Sequence, residues 1–213
     1  MDELISYLEK TGLIPVVTIN DPAKAPYLAE ALQNGGINCA EITFRTDAAY
    51  EAIKHITRTG SDFFAAAGTV LTTEQADKAA DAGAKLMVAP GFNRYVFTYS
   101  RDTLGVPFIP GVATPSEIDL VYSLDQKIVK FFPAEAMGGI KYIKAVSAPY
   151  NMMKFMPTGG ISPENLGDYL KLKQVVCCGG SWIAPKDLIE AKDFGEITKR
   201  AAEAVRIVKE VRG

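Results

Sequence analysis

The chain has 213 residues, 48% of them hydrophobic and 23% charged, a balance that excludes a disordered tail or a low-complexity chain. Lys plus Arg number 23 and Asp plus Glu 25, so the formal charge of −2 gives no global attraction to nucleic acid or to an anionic membrane. The length fits one or two domains, and barrels of this size often form one.

The opening Met1-Asp2-Glu3-Leu4 is acidic where a secretory signal would be basic. No apolar run approaches the roughly 20 residues needed to span a bilayer. Three cysteines, Cys39, Cys177 and Cys178, are too few for a disulfide framework, and two of them are adjacent. A reducing cytoplasm is the expected location. The single histidine, His55, excludes a zinc site built on several His ligands, and it leaves a Ser-His-Asp triad only if His55 serves it. Ala49, Ala52, Ile53 and Ile56 form the apolar stripe of its helical pattern, which predicts His55 toward solvent.

In chain order, residues 2–10 read as a helix able to cap the floor of the fold. Short β-rich apolar runs follow at 13–19, 38–44, 62–68, 85–89, 106–109, 127–132, 153–157 and 174–178, their starts 21 to 26 residues apart. Helical patterns lie between them. Asp21-Pro22 precedes 23–34, which stops at Gly35-Gly36; Thr72-Thr73-Glu74 precedes 75–82, which stops at Gly83; Ser162-Pro163-Glu164 precedes 165–172. A last helix over 196–211 carries Ile197, Ala201, Ala204, Val205, Val208 and Val211 on one stripe. Strand and helix alternating eight times predict parallel strands with right-handed crossovers. An open doubly wound sheet also uses such units, but the near-constant spacing favours a (β/α)8 TIM barrel with an extra N-terminal and C-terminal helix. No linker or charge block divides residues 1–213, so one domain is expected.

Two charges fall where strands should be apolar. In 39–45, Cys39, Glu41, Thr43 and Arg45 share one face and Ala40, Ile42 and Phe44 the other. Glu41 is either functional or a buried carboxylate satisfied by a neighbouring strand. In the sixth run, Lys127 can reach water as a strand start, but Lys130 is surrounded by Val129, Phe131 and Phe132. Burial disfavours an ammonium form, and a lysine made partly neutral by its surroundings is the nucleophile of Schiff-base enzymes. The alternatives are a lysine snorkelling to the mouth or one pairing with Glu41 for structure. Gly159-Gly160 and Gly179-Gly180 sit where the seventh and eighth strands turn into helices. Glycine pairs there let backbone N–H groups approach an anion, in the place where many barrels hold phosphate. Ala65-Ala66-Ala67-Gly68 leaves room for a ligand, or simply packs closely.

Taken together, these segments resemble the class I aldolases that act on 2-keto-3-deoxy-6-phosphogluconate and 4-hydroxy-2-oxoglutarate. The resemblance runs in order through Ile14-Pro15-Val16-Val17, Glu41-Ile42-Thr43-Phe44-Arg45-Thr46, Ala67-Gly68-Thr69-Val70-Leu71, Pro90-Gly91 and Pro110-Gly111-Val112-Ala113-Thr114. It continues through Val129-Lys130-Phe131-Phe132-Pro133-Ala134-Glu135, Pro157-Thr158-Gly159-Gly160-Ile161 and Gly179-Gly180-Ser181-Trp182. It departs at Ala89, where the family often has serine, which alters hydrogen bonding beside the site. The resemblance implies a covalent Schiff base on Lys130 with no metal or other cofactor, and Glu41 as the general acid/base. It implies Arg45 and Thr69 as partners of the pyruvate carboxylate, and Pro90, Phe132 and Thr158 as further substrate contacts. It implies Gly159, Gly160, Gly180 and Ser181 as the phosphate seat, a phosphorylated 2-keto acid as the partner, and a homotrimer. The expected reaction is reversible cleavage of 2-keto-3-deoxy-6-phosphogluconate to pyruvate and glyceraldehyde 3-phosphate, with cleavage of 4-hydroxy-2-oxoglutarate as a second activity. Alternatives are an aldolase for the galactonate epimer, a phosphate-binding barrel without catalysis, and a metal-dependent aldolase, since carboxylates bind magnesium.

Overall fold

The computed structural model describes residues 2–60 and 62–213. Met1 of the acidic opening lies outside the described residues. Helix α1 (Asp2–Thr11) leads through Gly12 into strand β1 (Leu13–Val17), which places it at the N-terminal end of the strands. The repeat then runs α2 (Ala25–Asn34), β2 (Cys39–Thr43), α3 (Ala49–Thr57), β3 (Phe64–Gly68), α4 (Thr73–Asp81), β4 (Leu86–Val88) and α5 (Arg94–Thr98). It continues with β5 (Phe108–Ile109), β6 (Gly111–Val112), α6 (Pro115–Tyr122), β7 (Ile128–Phe131), α7 (Gly139–Ser147), β8 (Lys154–Pro157) and α8 (Pro163–Leu170). Strand β9 (Cys178–Gly180) and helices α9 (Lys186–Ala191) and α10 (Phe194–Arg212) end the chain.

Every strand pairing is parallel. One six-stranded sheet has the order β5-β4-β3-β2-β1-β9, and a three-stranded sheet has the order β6-β7-β8. Pro110 separates β5 from β6, so a single extended segment pairs with β4 on one side and β7 on the other. Proline has no N–H to give a ladder, which explains the break. Isolated parallel bridges join Phe155 to Val175 and Thr158 to Gly179.

The helices form where capping chemistry places them. The Asp21 side chain accepts from Ala23 N, Thr72 Oγ1 accepts from Gln75 N, and Thr114 with Glu117 makes a capping box at the start of α6. Residues 23–34 divide into a short 3-10 turn at Pro22–Lys24 and then α2. Helix α10 packs on α2 and α8. Of its expected stripe, Ile197, Ala201, Ala204 and Val208 are buried, Val205 and Val211 are half-buried, and Ile207 joins the core.

Three readings need correction. Strand β2 stops at Thr43, so Arg45 lies in the following turn and not on a strand face. The eighth strand begins later than 174–178 and includes both glycines, because the backbone of β9 presses against neighbouring side chains: a Cβ on Gly179 would lie 2.4 Å from Thr158 Oγ1. The glycine pair 179–180 is therefore strand, and the turn comes after it. His55 is half-buried, and its Nδ1 donates to the Pro22 carbonyl at 3.0 Å.

Candidate active site

Glu41 sits in the middle of β2, and Lys130 occupies the third position of β7, between Gly111 of β6 and Met156 of β8 in register. These two strands are not neighbours, so any contact between them crosses the interior. Lys130 Nζ donates to Glu41 Oε1 at 3.1 Å and lies 3.5 Å from Oε2. The lysine and glutamate side chains are only 4% and 1% exposed. Lys130 therefore does not snorkel, whereas Lys127 reaches water. A buried ion pair gains little stability over apolar residues of the same volume, and clustered buried charges mark candidate functional sites.

The neighbours are built around this pair. Gly68, opposite Thr43 in register, has no room for a side chain: a Cβ there would lie 2.3 Å from Glu41 Oε1. Thr69 follows with φ +58°, a left-handed conformation that is costly for a β-branched residue and concentrated at functional sites. The Phe132 ring centroid lies 5.7 Å from Lys130 Nζ. Pro90 is half-buried, and its carbonyl oxygen would lie 2.1 Å from a Cβ on Gly111. Ala89, which is buried, donates its backbone N–H to Ile109 O at 3.2 Å and brings no hydroxyl. Arg45 is exposed and makes no ion pair among the described residues.

Thr158 is buried beside Gly179, and Gly159 and Gly160 follow it with φ +99° and +81°. Their carbonyls are used: Glu135 N donates to Gly159 O at 3.1 Å, and Asn165 Nδ2 donates to Gly160 O at 2.9 Å. The N–H groups of Gly160 and Ser181 meet no protein acceptor among the described residues. Free backbone donors at two adjacent strand ends suit an anion. The Tyr169 hydroxyl donates to Glu135 Oε1, and burial, reinforced by this carboxylate, pushes the Tyr169 phenol up.

Glu41 and Lys130 thus meet in one contact. Arg45, Thr69, Pro90, Phe132, Thr158, Gly159, Gly160, Gly180 and Ser181 all lie at or just past the C-terminal ends of their strands, Gly180 as the last residue of β9. Sequence reasoning missed Gly68 as the residue that admits Glu41, although it closes the run of small residues at 65–68.

Residues 4–200 match the family described as Aldolase: KDPG and KHG aldolase. The chain belongs to the KDPG and KHG aldolase family. A 2-dehydro-3-deoxy-phosphogluconate aldolase of Treponema pallidum (strain Nichols) is 44% identical over 98% of this chain and 99% of that protein. The KHG/KDPG aldolase of Escherichia coli (strain K12) is 41% identical over 96% of this chain and 95% of that protein. A KDPG aldolase from Legionella pneumophila, solved with pyruvate captured as a covalent carbinolamine intermediate, superposes with a TM-score of 0.89. It shares 38% identity over 94% of this chain and 97% of its own. Membership of this aldolase family fits a site whose central feature is a buried amine beside a carboxylate. Among the described residues no helix is long and apolar enough to cross a membrane.

Proposed function

We propose that this chain is a class I aldolase that reversibly cleaves 2-keto-3-deoxy-6-phosphogluconate to pyruvate and glyceraldehyde 3-phosphate, with Lys130 as its Schiff-base nucleophile. The observation that carries the reading is the buried contact of 3.1 Å between Lys130 Nζ and Glu41 Oε1. Glu41 takes a proton from Lys130, and the free amine attacks the C2 ketone to give a carbinolamine. Glu41 returns a proton to the carbinolamine hydroxyl, which leaves as water, and a protonated imine remains. Glu41, again a carboxylate, takes the C4 hydroxyl proton as the C3–C4 bond breaks, and holds it for return to C3. The aldehyde departs, and the electron pair passes through C3 to the iminium nitrogen. Protonation of the enamine at C3 and hydrolysis then release pyruvate and restore Lys130.

In this reading Arg45 and Thr69 hold the C1 carboxylate, and the planar guanidinium fork suits its two oxygens. Pro90 and Phe132 border the pyruvyl group, and Thr158 lies on the aldehyde side. Gly159, Gly160, Gly180 and Ser181 seat the phosphate, supported by the free N–H groups of Gly160 and Ser181. Cleavage of 4-hydroxy-2-oxoglutarate to pyruvate and glyoxylate is a second activity of the same pair. The iminium is the electron sink, so no metal takes part.

The strands close into a (β/α)8 barrel in this account. The segment 108–112 belongs to both sheets, and the bridges at Val175 and Gly179 join β8 to the strand beside β1. The working assembly is a cytoplasmic homotrimer, on the strength of the family resemblance. The reading is tested by measuring pyruvate and glyceraldehyde 3-phosphate released from 2-keto-3-deoxy-6-phosphogluconate and its galactonate epimer, before and after exhaustive chelation. Equimolar products, faster from the gluconate and unchanged by chelation, are expected. Activity lost to chelation and restored by magnesium would replace the Schiff-base reading with a metal-dependent one.

A further inference from the structure

Thr18 follows directly on β1, whose preceding residues Leu13–Val17 are all apolar and buried. The parallel register pairs Val16 with Glu41 and Val17 with Ile42, so Val16 shares the inward face of Glu41. One further step along that face puts Thr18 opposite Thr43, about 7 Å nearer the mouth than the Glu41 layer. The two hydroxyl oxygens meet at 3.0 Å. Thr43 is fully buried and gives its only hydroxyl proton to Val17 O at 2.9 Å. Proton bookkeeping then makes Thr18 the donor to Thr43. The lone pairs of Thr18 Oγ1 are left as acceptors on a half-buried side chain that faces the mouth.

The strand order places β1 between β2 and β3, which precede Arg45 and Thr69, and β9, which precedes Ser181. A substrate stretched from its carboxylate to its phosphate passes the end of β1. We propose that Thr18 is a specificity-determining residue whose hydroxyl accepts a hydrogen bond from a hydroxyl on the aldehyde half of the substrate. This inference rests on the aldolase reading above. It makes the enzyme selective for polyhydroxy 2-keto acids over deoxy analogues.

The experiment runs the reaction toward addition, with pyruvate and either glyceraldehyde 3-phosphate or its analogue lacking the 2-hydroxyl, 3-oxopropyl phosphate. Thr18→Val keeps the shape and removes the hydroxyl. It should lower kcat/KM for glyceraldehyde 3-phosphate about 2- to 12-fold, the worth of one neutral hydrogen bond, and leave the deoxy aldehyde unchanged. Thr18→Ser should keep the preference for the hydroxylated aldehyde, which also covers a valine variant that folds poorly. Equal loss on both aldehydes, no loss on either, or a serine variant without the preference would overturn the role of Thr18. Wild-type protein that condenses pyruvate with neither aldehyde would overturn the aldolase reading itself.

Discussion

At the residue scale, the buried site is a carboxylate kept next to an amine, and each side of that contact can be changed alone. Glu41→Gln preserves shape and removes the base, so turnover should fall about 10²- to 10⁴-fold while circular dichroism stays native. Unchanged turnover would remove Glu41 from proton transfer. Gly68→Ala attacks the same group indirectly, since its Cβ would lie 2.3 Å from Glu41 Oε1. It should cost turnover through displacement of the carboxylate, and Glu41→Gln combined with it should add little. Thr69 gives a different test. Its φ of +58° costs a β-branched side chain roughly 1–3 kcal/mol, and asparagine tolerates that conformation better. Thr69→Asn should therefore raise Tm while lowering kcat/KM; a lower Tm would mean that Thr69 is not strained. The cysteines predict an absence of chemistry. Burial pushes the Cys39 thiol up to about 12 and raises Cys177 and Cys178 as well. An aromatic disulfide reagent at pH 8 should titrate none of the three in native protein and all three after unfolding.

At the scale of elements, the two glycine-bearing strand ends behave differently from one another. A Cβ on Gly160 would lie 2.6 Å from Glu135 Cβ and Cγ, at a φ of +81°. Substitution there strains the loop after β7 as well as the turn, so it reports on stability as much as on binding. Ser181, exposed just beyond β9, is the cleaner probe of the phosphate seat. Ser181→Ala removes one donor to an anion, worth about 1.5–3 kcal/mol, and should cost roughly 10- to 150-fold in kcat/KM. That loss should fall on the phosphorylated substrate and spare 4-hydroxy-2-oxoglutarate; equal losses would make the turn a support and not a seat. The capping box of α6 carries a pH signature. Burial pushes the Glu117 carboxyl up, but hydrogen bonds from Ala113 N and from the hydroxyl and N–H of Thr114 outweigh it and hold the group below the usual range. A depressed folded value means stability that is present above about pH 4.5 and lost as pH falls through the folded value. Glu117→Gln should reduce this part of the acid sensitivity in urea titrations.

At the scale of the whole molecule, the order of strands and helices was legible from period and caps, because each boundary is decided locally by Asp, Ser, Thr, Pro or Gly. The pairing of Glu41 with Lys130 was legible only as a suspicion. The two residues are 89 apart in sequence, and their contact depends on how strands curve around the interior. The extent of β9 was not legible, since a glycine pair signals a turn locally. Here it serves the close approach of Thr158, a long-range fact. The break at Pro110, which splits one strand between two sheets, was visible as a proline but not as a seam. The position of Arg45 beyond β2 was hidden for a similar reason, because alternation shows no stop before a turn begins.

Every step of the proposed chemistry depends on a covalent bond to Lys130. Incubation with pyruvate and borohydride, followed by peptide mass analysis, tests it most directly. One reduced pyruvyl adduct is expected, on the peptide and at the position of Lys130, and none in Lys130→Met. An adduct on Lys127 or another lysine, or no adduct in an enzyme that still cleaves its substrate, would contradict it.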